Sequence, residues 1–129
     1  MNDFYYRKLN AYQHSKELVK YVYRILKAYP AEERYTLCDQ LRRAAVSVPS
    51  NIAEGMGRFS VKERIHFLEI AYGSLMEVMC QLEISLSLKY IDEYTFNEGE
   101  RPVICTAKTM SGLRQSLVEK QRSLEESRE

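Results

Sequence analysis

The stretch LCDQLRRAAVSVPSNIAEGMGR, residues 37–58, decides the fold because its apolar spacing survives a proline. Its apolar residues recur every three or four positions, as on one helix face: Leu37, Leu41, Ala44, Val48 and Ile52. A loop at Pro49 would have lost this register. We therefore predict a helix over residues 32–56 that bends at Pro49, because proline cannot donate a backbone hydrogen bond to the Ala45 carbonyl.

The surface of this predicted helix leaves two questions open. Its apolar arc is wider than one core-facing stripe requires, which favours contact with another copy of the chain. The residues expected to assemble or to shape the bend are Ala45, Val46, Pro49, Asn51, Ala53 and Glu54. One alternative is that Asn51, Glu54 and Arg58 form a polar site. The other is that Asn51 and Glu54 serve only in helix capping and in hydrogen bonds between helices. Gly55 and Gly57 match no phosphate-binding pattern and are expected to end the helix in the left-handed conformation.

Three further segments have helical periodicity, at residues 7–29, 61–89 and 92–121, followed by a polar tail at residues 122–129. Ser60 and Glu63 form a capping box before the first apolar residue of the third helix. Asp92 is a plausible N-cap for the fourth helix, in which Gly99 and Pro102 are expected to cause a break or kink.

The third segment has the most regular pattern of the chain. Apolar residues alternate four- and three-residue spacings, as on a coiled-coil seam: Val61, Ile65, Leu68, Tyr72, Leu75, Met79, Leu82 and Leu86. A second apolar line beside the seam contains Phe67, Ala71 and Val78. Gly73 weakens such a helix, so we expect another backbone to approach closely there.

These four segments predict one domain over residues 1–129. No alternation of apolar and polar residues indicates a strand. The expected architecture is an all-α, antiparallel, up-down four-helix bundle with a proline-bent second helix.

The composition is ordinary for a soluble globular protein, with 45% hydrophobic and 29% charged residues. The sequence contains no run of about 18 apolar residues, so we expect no membrane-spanning helix. The first ten residues lack the apolar stretch of a signal peptide, which favours the cytoplasm. Three cysteines, Cys38, Cys80 and Cys105, form no CxxC pair, so buried free thiols are expected, with a metal or redox role as the alternative.

No residue pattern in the chain indicates an enzyme. The two histidines, His14 and His66, lie in different predicted helices without a metal-ligand or acid–histidine spacing. We therefore predict no catalytic residue, no metal site and no cofactor.

Positive charge is concentrated in the first helix, although the whole chain has a net charge of only +1. Residues 1–29 contain six Lys or Arg residues against two acidic ones. Four of these cations form a stripe opposite the apolar arc, beside Tyr12 and Tyr23: Lys16, Lys20, Arg24 and Lys27. A second basic cluster contains Arg42, Arg43 and Arg58, together with Lys62 and Arg64. These cations are candidates for nucleic-acid binding, and the alternative is a solvated face paired with glutamates.

Two motifs carry a resemblance to a known family: QLRRAAVSVPSNIAEG at residues 40–55 and IAYGSLMEVMCQL at residues 70–82. They resemble the bacterial four helix bundle protein family, whose members include proteins encoded within intervening sequences of 23S rRNA genes. The segment NEGERP, residues 97–102, departs from the family's uninterrupted acidic fourth helix. The resemblance implies an up-down bundle that assembles as a homopentamer.

The same resemblance implies kinship with the accessory subunit of diversity-generating retroelements, which partners a reverse transcriptase and binds nucleic acid. No catalytic residues are attributed to the family. We therefore expect a non-enzymatic, self-assembling helical protein whose partner is RNA, DNA or a nucleic-acid enzyme. The alternative is a protein–protein interaction scaffold without a nucleic-acid role.

Overall fold

The computed structural model describes residues 4–128 and contains four α-helices and, within that range, no strand. The helices are α1 (Asn10–Leu26), α2 (Leu37–Met56), α3 (Val61–Ser87) and α4 (Glu93–Glu126). The predicted all-α bundle is confirmed. The predicted starts at residues 7 and 32 were too early, because Tyr5–Lys8 and Ala31–Glu33 instead form short, tighter 3-10 helices.

Each helix packs against two neighbours, so that α1 contacts α2 and α4, and α3 also contacts α2 and α4. The start of α2 faces the end of α3, where Gln81 Nε2 donates to Gln40 Oε1 at 3.3 Å. The end of α2 meets the start of α3 at Gly55 and Phe67. Contacts in this reversed order are those of antiparallel neighbours. The core lies between the four helices and includes Leu18, Leu41, Ile52, Leu68, Leu75, Leu82 and Met110.

The predicted helical register through Pro49 is confirmed, because α2 is continuous across it. Two residues before the proline, the Ser47 hydroxyl hydrogen-bonds the Ser74 hydroxyl of α3 at 2.9 Å. Asn51 Nδ2 donates to the Ser47 carbonyl at 2.8 Å and to its hydroxyl at 2.9 Å. Polar groups beside the proline therefore join α2 to α3. The bend itself stays a prediction.

The predicted break in the fourth helix was wrong, since α4 continues through Gly99 and Pro102 and ends five residues later than predicted, whereas the alternative of a kink there stays a prediction. A Cβ at position 99 would lie 2.5 Å from the ring of Tyr21 in α1. The Tyr21 hydroxyl also donates to the Thr95 carbonyl. Glycine therefore admits a close contact between α1 and α4 here, and α4 continues although Pro102 cannot donate one backbone hydrogen bond.

The expected role of the two glycines after Pro49 was also wrong. Gly57 follows α2 with a φ of −83°, which is right-handed, and Gly55 lies inside the helix. A Cβ at position 55 would lie 2.7 Å from the Cβ of Phe67. The left-handed residue of the described chain is Lys89 at φ 63°, where the Tyr90 N–H donates to the Ser85 carbonyl and closes α3 as a Schellman motif does.

The two predicted N-terminal caps are confirmed. The Ser60 hydroxyl accepts from the Glu63 N–H at 3.0 Å, and Asp92 Oδ1 accepts from the Thr95 N–H at 2.8 Å. Each side chain satisfies a backbone donor that has no partner within the helix. These caps place the starts of α3 and α4 where the sequence predicted them.

We expect Gly55→Ala to lower the free energy of unfolding by about 1–3 kcal/mol, although alanine favours helices over glycine by about 1 kcal/mol. The added methyl group would overlap Phe67 Cβ, which cannot move without the α3 backbone. Chemical denaturation followed by circular dichroism measures this change. Gly112→Ala is the matched control, because its Cβ would meet nothing within 4 Å, and it should be neutral or stabilising. Equal effects of the two substitutions would contradict the close contact.

Candidate nucleic-acid interface

Two neighbouring surface depressions lie between α1 and α2, and together they are called the α1–α2 groove. The wall from α1 consists of Tyr12, Lys16, Val19, Lys20 and Tyr23, and the wall from α2 includes Arg42, Arg43, Val46, Pro49, Ser50 and Ala53. Val46 lines both halves of this α1–α2 groove. The α1 wall forms because side chains three and four residues apart share a helix face.

The floor of the α1–α2 groove is apolar, and it accounts for much of the broad apolar arc of α2. Ala45 is fully buried and faces the core, so it is not available for assembly. Val46, Pro49 and Ala53 remain partly exposed along the groove. The arc is therefore divided between the core and the α1–α2 groove, and its width alone does not require another copy of the chain.

The predicted cationic stripe of α1 divides between two sides of the helix. Lys16 and Lys20 line the α1–α2 groove, and Lys20 Nζ also lies 3.2 Å from Glu17 Oε1. Arg24 turns towards α4, where its guanidinium lies 5.4 Å from the Tyr21 ring centroid and 3.8 Å from Glu98 Oε1. Lys27 is exposed just beyond the last residue of α1.

The predicted second basic cluster also separates. Arg42 and Arg43 lie on the α1–α2 groove, and Arg43 Nε is 3.2 Å from Asp39 Oδ2. Arg58 lies about 22 Å farther along the helix axis, at 1.5 Å per residue. Its Nη2 is 3.1 Å from Glu54 Oε1, and its guanidinium lies 4.6 Å from the centroid of the Phe67 ring. For Glu54 and Arg58 the structural alternative of an ion pair is therefore confirmed.

Two tyrosines line the α1–α2 groove, and they differ in burial and in their ring contacts. The half-buried Tyr12 ring meets the Tyr6 ring edge-on at 4.9 Å, and Lys16 Nζ lies 5.3 Å from its centroid. Tyr23 is 46% exposed and takes part in none of the ring or cation–π contacts found among residues 4–128. Tyr23 therefore presents an available aromatic surface across from the two arginines of α2.

A second surface was not predicted from the sequence: the outward side of α3, here called the α3 outer face. Its exposed apolar residues are Ile70, Tyr72, Met76, Ile84 and Leu88, with Gly73 and Cys80 among them. A Cβ at Gly73 would meet nothing within 4 Å, so the expected close backbone approach is absent within the described chain. The sequence did contain a signal for this surface, because the apolar residues of the third segment cover more than one stripe of the helix. Of the predicted seam, Leu68, Leu75 and Leu82 are buried but Tyr72 is exposed. Ala71 and Val78 of the second apolar line are fully buried.

The remaining reactive side chains occupy separate places. Cys38 is buried, Cys105 is half-buried and Cys80 is exposed on α3, so the expectation of three buried thiols was wrong for Cys80. Within residues 4–128, no three His, Cys, Asp or Glu side chains converge in a way that could hold a metal ion. Burial raises the pKa of Tyr21 to about 12, so its hydroxyl stays protonated as the donor that links α1 to α4.

None of the helices in the described range is both long and apolar enough to cross a bilayer. Residues 7–112 match the protein family described as 23S rRNA-intervening sequence protein. The match spans α1, α2, α3 and the first half of α4, and so includes both walls of the α1–α2 groove. No curated protein matches the chain.

Proposed function

The chain belongs to the 23S rRNA-intervening sequence protein family, and from this we propose that it is a non-enzymatic, cytoplasmic subunit that binds RNA or DNA and assembles with copies of itself. The observation that carries the binding proposal is the α1–α2 groove. It combines four cations from two helices with exposed tyrosine and an apolar floor. The cations are Lys16, Lys20, Arg42 and Arg43.

The chemistry of this groove fits a nucleic acid for two reasons. Each cation that neutralises a phosphate releases a condensed counterion, and the contributions of several cations add along the backbone. Aromatic side chains between the cations offer surfaces on which bases stack. A net charge of only +1 does not oppose this, because four cations line one groove and act there as a local positive patch.

The non-enzymatic part of the proposal rests on how the polar residues near Pro49 are used. Asn51 is engaged with Ser47, and Glu54 is engaged with Arg58. These side chains are therefore already paired with other residues of the chain. A metal or small molecule that copurified stoichiometrically would instead favour an enzyme.

The direct test of binding is a salt titration with fluorescently labelled RNA and DNA. We expect micromolar to submicromolar binding at about 50 mM salt, and an affinity that falls steeply as the salt concentration rises. The logarithm of the affinity should fall linearly with the logarithm of the salt concentration, with a slope of about −3 to −4 for four phosphate contacts. Absence of binding to either nucleic acid at about 50 mM salt would rule the proposal out.

The α3 outer face supports self-assembly. Large apolar side chains are exposed from Ile70 to Leu88, over about 27 Å at 1.5 Å per residue. Clusters of exposed apolar side chains mark protein interfaces. Exposed glutamates lie among these side chains, namely Glu69, Glu77 and Glu83, and these would repel a phosphate backbone. This face is therefore suited to protein, whereas the α1–α2 groove is suited to a polyanion.

We assign the α3 outer face to a second copy of the chain, in the homopentamer that the family resemblance implies. In a closed ring each copy presents one surface to the preceding neighbour and a different one to the next. The α3 outer face would be one of these two surfaces. A reverse transcriptase or another nucleic-acid enzyme is the further partner class that the resemblance implies.

A further inference from the structure

We propose that the α1–α2 groove accepts a single strand of RNA or DNA rather than a duplex, with a base stacked on Tyr23. The inference rests on the proposed nucleic-acid function and names the form of the ligand. It is carried by the exposure of one aromatic ring on the α1 wall and by its position across from Arg42 and Arg43 of α2.

Tyr23 is the aromatic residue of the groove that a ligand can reach. The Tyr12 ring is half-buried and already contacts Tyr6 and Lys16. The Tyr23 ring is 46% exposed and has no ring or cation–π partner within the described range. Stacking on every kind of base is possible, because each base has a π face.

Cations lie in both halves of the groove, and they would contact the phosphates on either side of a base stacked on Tyr23. Arg42 and Arg43 of α2 line the same half of the groove as Tyr23. Lys16 and Lys20 line the other half, towards Tyr12. A strand lying along the groove would therefore pass from one cation pair to the other across the apolar residue Val46.

A duplex gains little from this arrangement. Its base faces are already stacked on one another, so neither the ring of Tyr23 nor the apolar floor finds a partner. A purely cationic surface would favour the duplex, because duplex DNA has the higher charge density and releases more counterions per phosphate contact. Preference for the single strand therefore distinguishes a stacking groove from a basic patch.

The test compares single-stranded and duplex oligonucleotides of equal length and fixed composition, as RNA and as DNA, at one salt concentration. A 2-aminopurine in the single strand reports stacking through loss of its fluorescence. We expect tighter binding of the single strand and quenching on binding. Tyr23→Ala should weaken single-strand binding about fivefold to a hundredfold, with no change for the duplex, whereas Tyr23→Phe should retain it.

Tyr35→Ala is the matched control, because Tyr35 is 83% exposed and lies in the connection before α2. It should leave both affinities unchanged. Circular dichroism checks that each variant keeps its helices. Equal or tighter binding of the duplex, or no effect of Tyr23→Ala on the single strand, would overturn this inference while leaving salt-dependent binding intact. Absence of binding to both forms would instead remove the proposed function itself.

Discussion

A variant in which the four groove cations become glutamate is expected to bind RNA and DNA more than about 100-fold more weakly than the unmodified protein. The four substitutions are Lys16→Glu, Lys20→Glu, Arg42→Glu and Arg43→Glu. Each change removes a phosphate contact and places a like charge beside the backbone. All four side chains line the groove rather than the core, so helical content should stay the same. Fluorescence anisotropy at about 50 mM salt measures the loss.

The matched control reverses four exposed cations in or just after α4 that do not line the groove, and so changes the net charge by the same amount. These substitutions are Lys108→Glu, Lys120→Glu, Arg122→Glu and Arg128→Glu. We expect this control to retain most of the affinity, because interactions beyond a Debye length of about 10 Å are largely screened at 0.1 M salt. Equal losses in the two variants would mean that total charge, rather than the α1–α2 groove, governs binding.

The double substitution Ile70→Glu with Ile84→Glu is expected to dissociate the proposed homo-oligomer into a monomer of 15.2 kDa. The two side chains are 40% and 43% exposed in the single chain, so new carboxylates there remain solvated and the bundle should stay folded. If the same carboxylates were buried in a contact between copies, they would lose their hydration without gaining a cationic partner, and this would destabilise the contact. Multi-angle light scattering at micromolar concentration measures the mass.

Ile104→Glu provides the control for that experiment, since Ile104 of α4 is 47% exposed but lies outside the α3 outer face. It should leave the assembled mass unchanged. An unmodified protein that scatters as a monomer would exclude self-assembly at that concentration. Assembly that survives the double substitution would move the contact away from α3.

The helices could be predicted from the sequence because their signals are local. Apolar periodicity and the side chains of Ser60 and Asp92 act within a few residues, so they located α3 and α4 without knowledge of the fold. The same local rules failed at Gly55 and Gly99. There the reason for glycine is the approach of Phe67 or Tyr21 from another helix.

The candidate site was predictable only in part for a related reason. The periodicity of α1 grouped Lys16, Lys20, Arg24 and Lys27 on one side, but which neighbour each one faces depends on helix packing. Packing brings Lys16 towards α2 and directs Arg24 towards Glu98 of α4. It also separates Arg58 from Arg43, although both had been grouped by proximity in the chain.

The sequence by itself determined four amphipathic helices, the continuous register through Pro49 and the family, because periodicity and short motifs are properties of neighbouring residues. Only the tertiary structure decided which surfaces remain uncovered. A side chain is buried or exposed according to what packs on it, and the residues that pack on it are distant in the chain. The packing of α1 against α2 therefore created the groove, and the position of α3 left its outer face exposed.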